Sequence, residues 1–255
     1  MSLFNNNFNE INLIEFLLLI IILFIVQFGF DNLNIIHIES AFLYIIIIFY
    51  FIFKLRKSLF LLKNDFKALF SLKLILNIFF IIVLNILLSY GFLYLSDLIL
   101  NSYYNLNFLP STYFKSSLAF GGFISVVLIS PICEELIFRG IFLTKLNLAI
   151  PVIFAVLISS LLFAALHNFG SITSAFIFGI CMAILYLKTK NILVPIFAHI
   201  LNNLISESIV ILDKGGILFN NLSVITVMSL LAFVSLILIL IYIFKELKIL
   251  NNTKS

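Results

Sequence analysis

The sequence predicts an all-α integral membrane protein, a bundle of about eight transmembrane helices. Two features of composition and one of patterning carry that expectation. Of 255 residues, 64% are apolar and only 10% charged, against roughly half and a quarter in soluble domains. The mean hydropathy is +1.27. So few charges cannot cover a globular surface of this size, so lipid must be the solvent for most of the chain. The apolar residues also gather into runs of the length a bilayer requires, about 20 residues each.

In chain order the expected spans are 12–30, 36–53, 74–95, 117–144, 150–167, 171–187, 192–211 and 220–244. Between them stand breaks: Asp31–Asn34, the basic stretch Lys54–Lys73, Pro110–Ser111, Pro151, Gly170, Asn191 and Gly215–Gly216. Residues 96–116 read as a longer loop. No repeat or linker divides the chain, so residues 1–255 read as a single polytopic domain. The N-terminus lacks a basic region and a small-residue cleavage site, so the first run is expected to remain as a span.

Basic residues set the orientation. Lys54, Arg56, Lys57, Lys63, Lys67, Lys73, Lys145, Lys188, Lys190, Lys245, Lys248 and Lys254 fall on one side of an eight-span arrangement, with Lys115 and Lys214 opposite. This asymmetry of 12 to 2, with Arg139 set aside inside a span, puts both termini in the cytoplasm by the positive-inside rule. The expected location is a cell membrane, and the bias toward Phe, Ile, Leu and Asn points to an AT-rich bacterial genome. The net charge of +4 sits in short loops and is no nucleic-acid signal. Membrane lipid is the expected surrounding. Cys133 and Cys181 lie in apolar runs and read as buried residues rather than a disulfide or thiolate site.

Against this apolar background the ionisable residues stand out. The fourth span holds Pro131-Ile132-Cys133-Glu134-Glu135-Leu136-Ile137-Phe138-Arg139-Gly140. A charge near the bilayer centre costs about 2.5–3.5 kcal/mol on insertion scales, so these three should face protein or water. Glu135 and Arg139 are four apart and should pair, through a bidentate guanidinium contact. Glu134 is turned by about 100° from its neighbour and has no obvious local partner. Pro131 should kink the helix near Val127. Two readings stay open for these charges, a reactive site or a packing network close to the cytoplasmic interface. His37 lies at the polar start of the second span and is given no role. The other two histidines end or occupy apolar helices as Phe163-x-x-x-His167 and His199-x-x-x-Asn203, with His199 and Asn203 on one helical face.

Glu-Glu-x-x-x-Arg, then Phe-x-x-x-His, then His-x-x-x-Asn, on successive helices, resembles the CAAX prenyl protease and bacteriocin-processing (CPBP, or Abi) family of intramembrane endopeptidases. The resemblance covers about residues 117–210, the expected catalytic core. It implies that Glu134 is the catalytic carboxylate, with His167 assisting it and His199 and Asn203 completing the site. Glu135, Arg139 and Phe163 would be structural support. The substrate implied is a peptide or membrane protein. Chemically, Glu134 would activate water, His167 share it or protonate the leaving amine, and His199 and Asn203 donate to the oxyanion.

No cofactor is favoured. A zinc-dependent version is the alternative, with Glu134, His167 and His199 as ligands and an open position for water. A small-solute transporter, or an inert immunity or scaffold protein, are the rivals from other classes. One tension remains within straight helices. Glu134 and His199 should lie about 16 and 12 Å from the cytoplasmic helix ends, but His167 about 25 Å, at 1.5 Å per residue.

Overall fold

The computed structural model describes residues 4–32, 40–104, 120–167, 171–213, 218 and 221–252. All regular elements among them are helical. Many runs are rich in Ile and Phe, which in water would also suit strands. In lipid, however, an open strand leaves its N–H and C=O groups without partners, and a helix satisfies them within the segment.

After a short 3-10 helix (Asn5–Glu10) come α1 (Leu13–Asn32), α2 (Ser40–Leu55), α3 (Leu62–Ala68) and α4 (Leu72–Tyr104). A continuous helical run over residues 120–149, here α5, alternates α and π turns. It is followed by α6 (Val152–Ala164), α7 (Ile172–Thr189), α8 (Leu193–Leu212) and α9 (Leu222–Asn252). Five of these, α1, α4, α7, α8 and α9, contain stretches long and apolar enough to cross a membrane, and α2 and α6 are shorter apolar helices. α7 forms the centre, buried along nearly its whole length. α6, α8, α4 and α9 pack around it, with α9 running along α4. α1 turns Ile14, Ile22, Phe24 and Phe28 outward, as a lipid-facing helix should.

Several boundaries differ from expectation. α4 continues to Tyr104, where a loop was expected from residue 96. Nothing between Ser96 and Tyr104 breaks a helix, and the first proline after it is Pro110. α9 runs beyond 244 to Asn252. The basic stretch after α2 is not a plain loop but folds as a 3-10 turn (Leu59–Leu61) and α3. The expected breaks at Pro110–Ser111, Gly170 and Gly215–Gly216, part of Asp31–Asn34, and His37 lie outside the described residues.

Other breaks have visible causes. Ile150, ahead of Pro151, is extended at φ −136°, because the proline ring disfavours the helical region for the residue before it. Lys190 ends α7 in the left-handed region at φ 51°, and its carbonyl accepts a hydrogen bond from Asn5 Nδ2. The N-terminal 3-10 helix thereby closes one end of the bundle. Its Phe8 is fully buried against Gly140, where an added Cβ would stand 2.6 Å from the ring.

Candidate active site

α5 supplies the acidic centre, and its backbone is irregular for readable reasons. Pro131 has no N–H for the carbonyl one turn back, and its ring crowds that turn. In place of the kink expected near Val127, the helix widens into a π turn over Ser125–Ile129. The carbonyl of Val126 in that turn accepts a hydrogen bond from Asn203 Nδ2 at 2.9 Å. A second π turn, Leu136–Leu143, carries Arg139. Its carbonyls find side-chain donors. Ser159 Oγ donates to Phe138 O and Thr144 Oγ1 to Arg139 O, each at 2.9 Å. Irregular turns of this kind often mark functional sites in helices.

Glu135 and Arg139 are both completely buried and pair as their spacing predicts, with Arg139 Nε 3.1 Å from Glu135 Oε2. The contact is not bidentate, contrary to expectation. The guanidinium reaches across to α7, where Nη2 donates to Gly179 O at 3.0 Å, and lies 4.6 Å over the Phe163 ring. Gly179 also lets α6 pack closely on α7, since a Cβ there would press on Ser160 and Phe163 at 3.1–3.2 Å. With one carboxylate oxygen toward Arg139, Glu135 turns the other to His199. His199 Nδ1 lies 2.9 Å from Glu135 Oε1. A carboxylate can only accept, so Nδ1 carries the hydrogen and Nε2 is left for other partners. Glu135 thus holds His199 as well as pairing with Arg139.

Glu134 is also buried. It does have a local partner, which the sequence reading missed. Ser130 Oγ, one turn earlier, donates to its Oε1. The other oxygen, Oε2, stands 3.9 Å from His199 Nε2. His167 lies just past the end of α6, and its Nδ1 is 3.1 Å from Phe163 O. By the same logic its Nε2 is the nitrogen available to the cavity. The Phe163 ring links the parts, 4.7 Å from the His167 ring and 5.7 Å from that of His199. Phe178 of α7 packs edge-on against His199 at 5.1 Å.

These groups border one cavity of about 420 Å³. Glu134, Phe163, His167, His199 and Asn203 all line it, while Glu135 and Arg139 lie behind its wall. Straight helices put His167 deeper than Glu134 and His199, yet all three line the same cavity. The lining also draws on helices without motifs: Tyr44 of α2, and Asn85 and Ser89 of α4. On α8, Asn202, Ser206 and Glu207 join His199 and Asn203. Positions 199, 202, 203, 206 and 207 form one polar stripe on an otherwise apolar helix, a signal the motif reading passed over.

The zinc alternative needs three ligands around one point. Among the described residues, no three His, Cys, Asp or Glu side chains are grouped so as to hold a metal ion. No step of the mechanism below runs through a metal.

A buried carboxylate pair and two imidazoles thus meet at one polar cavity inside an apolar helical bundle. Residues 116–205 match the family model for type II CAAX prenyl endopeptidase Rce1-like proteins. YdiL, a candidate membrane peptidase of Bacillus subtilis strain 168, is 40% identical over 77 residues, 30% of this chain and 32% of that protein. The membrane-embedded CAAX protease MroQ of Staphylococcus aureus strain USA300 is 36% identical over 85 residues, 31% of this chain and 34% of that protein. The aligned segments span about a third of the length of these relatives. No solved structure matches. The segment that carries all three motifs is thus similar to CAAX-type membrane proteases.

Proposed function

We propose that this protein is an intramembrane endopeptidase of the cell membrane, both termini cytoplasmic, that hydrolyses a peptide bond with a water held between Glu134 and His199. The observation that carries the reading is the 3.9 Å separation of Glu134 Oε2 and His199 Nε2, each fixed from behind by Ser130 and Glu135. That gap is too long for a direct hydrogen bond. It lets one water sit about 2.8 Å from both atoms, off the line joining them.

In this reading the water gives one hydrogen bond to Glu134 and the other to His199. Attack on the scissile carbonyl moves the first proton to Glu134 and leaves a hydroxyl and an oxyanion on the tetrahedral carbon. Asn203 has one N–H engaged with Val126 O and a second N–H on the same nitrogen for the oxyanion. When the C–N bond breaks, the Glu134 proton passes to the leaving amine, whose own N–H is accepted by His167 Nε2.

Glu134→Gln is the test. It keeps the shape and the Ser130 contact but removes the base. Peptide cleavage by purified protein in detergent should fall by at least about 10²-fold, with melting temperature held or raised because a neutral amide is cheaper to bury. Undiminished cleavage by this variant would overturn the assignment.

A further inference from the structure

The proposed chemistry needs Asn203 to present nitrogen, not oxygen, to the oxyanion. A carboxamide turned the other way would offer an oxygen there, which cannot donate. What fixes the sense begins at Pro131. In the π turn of α5, the Ser130 N–H reaches back five residues to Ser125 O. In the same register the next carbonyl, that of Val126, would take its bond from residue 131, and a proline has no N–H to give. Val126 O instead accepts from Asn203 Nδ2 at 2.9 Å. A backbone carbonyl can only accept, so this contact turns the nitrogen of Asn203 toward α5 and its Oδ1 away.

That orientation is handed on. Asn203 Oδ1 accepts from Asn202 Nδ2 at 3.2 Å, and Asn202 Oδ1 accepts from Asn85 Nδ2 of α4 at 3.0 Å. Each link sets an oxygen against an N–H. No amide of the chain can reverse alone without bringing two oxygens, or two N–H groups, face to face. Asn202 and Asn85 are only 9% and 6% exposed, so little water can replace a broken link. All three asparagines line the same cavity as Glu134 and His199.

We propose that Asn85 and Asn202 are positioning residues of the reaction, which lock the Asn203 carboxamide from behind with its second N–H toward the oxyanion. The inference rests on the peptidase reading above and adds Asn85 and Asn202, which none of the three motifs contains. Without them Asn203 is held by Val126 O alone, and its amide can swing or reverse. The loss falls on the chemical step. It is smaller than removal of an oxyanion donor, which costs about 10²–10³-fold, because the donor is still present for part of the time. If the asparagines served only to join α4 to α8 through interhelical hydrogen bonds, their removal would lower the melting temperature and leave kcat unchanged.

The test uses the full chain in detergent and the peptide assay above. Asn85→Leu and Asn202→Leu should each lower kcat by about 10-fold, with KM within about 2-fold. In an Asn203→Ala background either change should lower kcat by less than about 2-fold further, since a residue that acts through Asn203 has nothing left to position. If Leu prevents folding, Asn85→Ala, which cannot overpack the site, gives the same comparison. A second readout needs no turnover. The Nδ2 signals of Asn203, followed by NMR in isotope-labelled protein, should be single and sharp, and should broaden or double in the Asn85 variant as the amide samples both orientations. Unchanged kcat, an effect on KM alone, or a 10-fold loss that persists in the Asn203→Ala background overturns the positioning role and leaves the peptidase reading standing. If the unmodified protein cleaves no peptide, the peptidase reading falls and the Asn203 signals decide the lock, which unchanged signals overturn.

Discussion

Glu135 holds two partners, and a pair of substitutions should separate what it does for each. Both it and Arg139 are completely buried, 3.1 Å apart. Arg139→Ala leaves Glu135 as a buried carboxylate without its cation, at a cost of about 3–5 kcal/mol. The same change removes the hydrogen bond to Gly179 O and the contact over Phe163, so the upper part of that range applies. For a chain of this length each kcal/mol lowers Tm by about 2–4 °C, which gives a fall of roughly 10–20 °C in a detergent melting assay. Glu135→Gln should destabilise comparably by stranding the guanidinium. The double variant Glu135→Gln, Arg139→Met removes both charges and fills the space, and buried pairs replaced in this way often lose nothing. It should melt within a few degrees of the unmodified protein. Cleavage should not recover, because a Gln amide can donate to His199 Nδ1 and so move the ring hydrogen to Nε2, where the water must be held. Recovery of cleavage along with Tm would refute this reasoning and reduce Glu135 to a counterion. Unchanged melting of Arg139→Ala would show that the pair is solvated.

Other outcomes follow from the same contacts. Ser130→Ala frees Glu134 Oε1 and should lower kcat by about 10-fold with little change in KM, read in the same peptide assay, since it disturbs positioning alone. Asn203→Ala should cost about 10²–10³-fold in kcat if its second N–H meets the oxyanion; a loss confined to Tm would leave it only its bond to Val126 O. Prolonged treatment with a strong chelator should leave most activity in place, and loss that added zinc restores would replace the metal-free mechanism. Reporter fusions after Lys63 and Lys190 should read cytoplasmic and one near Ser111 external; a cytoplasmic signal at Ser111 would overturn the orientation.

Composition and the length of the apolar runs were together enough for the all-α membrane class, because 10% charged residues leave no way to clothe a soluble surface and runs of about 20 residues suit helical spans. The three motifs were enough for the resemblance that the comparisons over residues 116–205 also found. Spacing was enough for the Glu135–Arg139 pair, since positions four apart meet on any helix, α or widened. By that same rule Ser130 was legible as the partner of Glu134, and the α8 stripe through Ser206 and Glu207 was legible as a polar face. Other contacts join residues far apart in sequence. Glu135 meets His199 across 64 positions and Asn85 meets Asn202 across 117. Phe163 gathers Arg139, His167 and His199 around one ring, and the Gly179 carbonyl of α7 accepts from the guanidinium. Local periodicity tells which face of a helix is polar, but not which other helix that face meets. Where helices meet is decided by the packing of small residues and irregular turns, and that packing made one carboxylate serve both an arginine and a histidine.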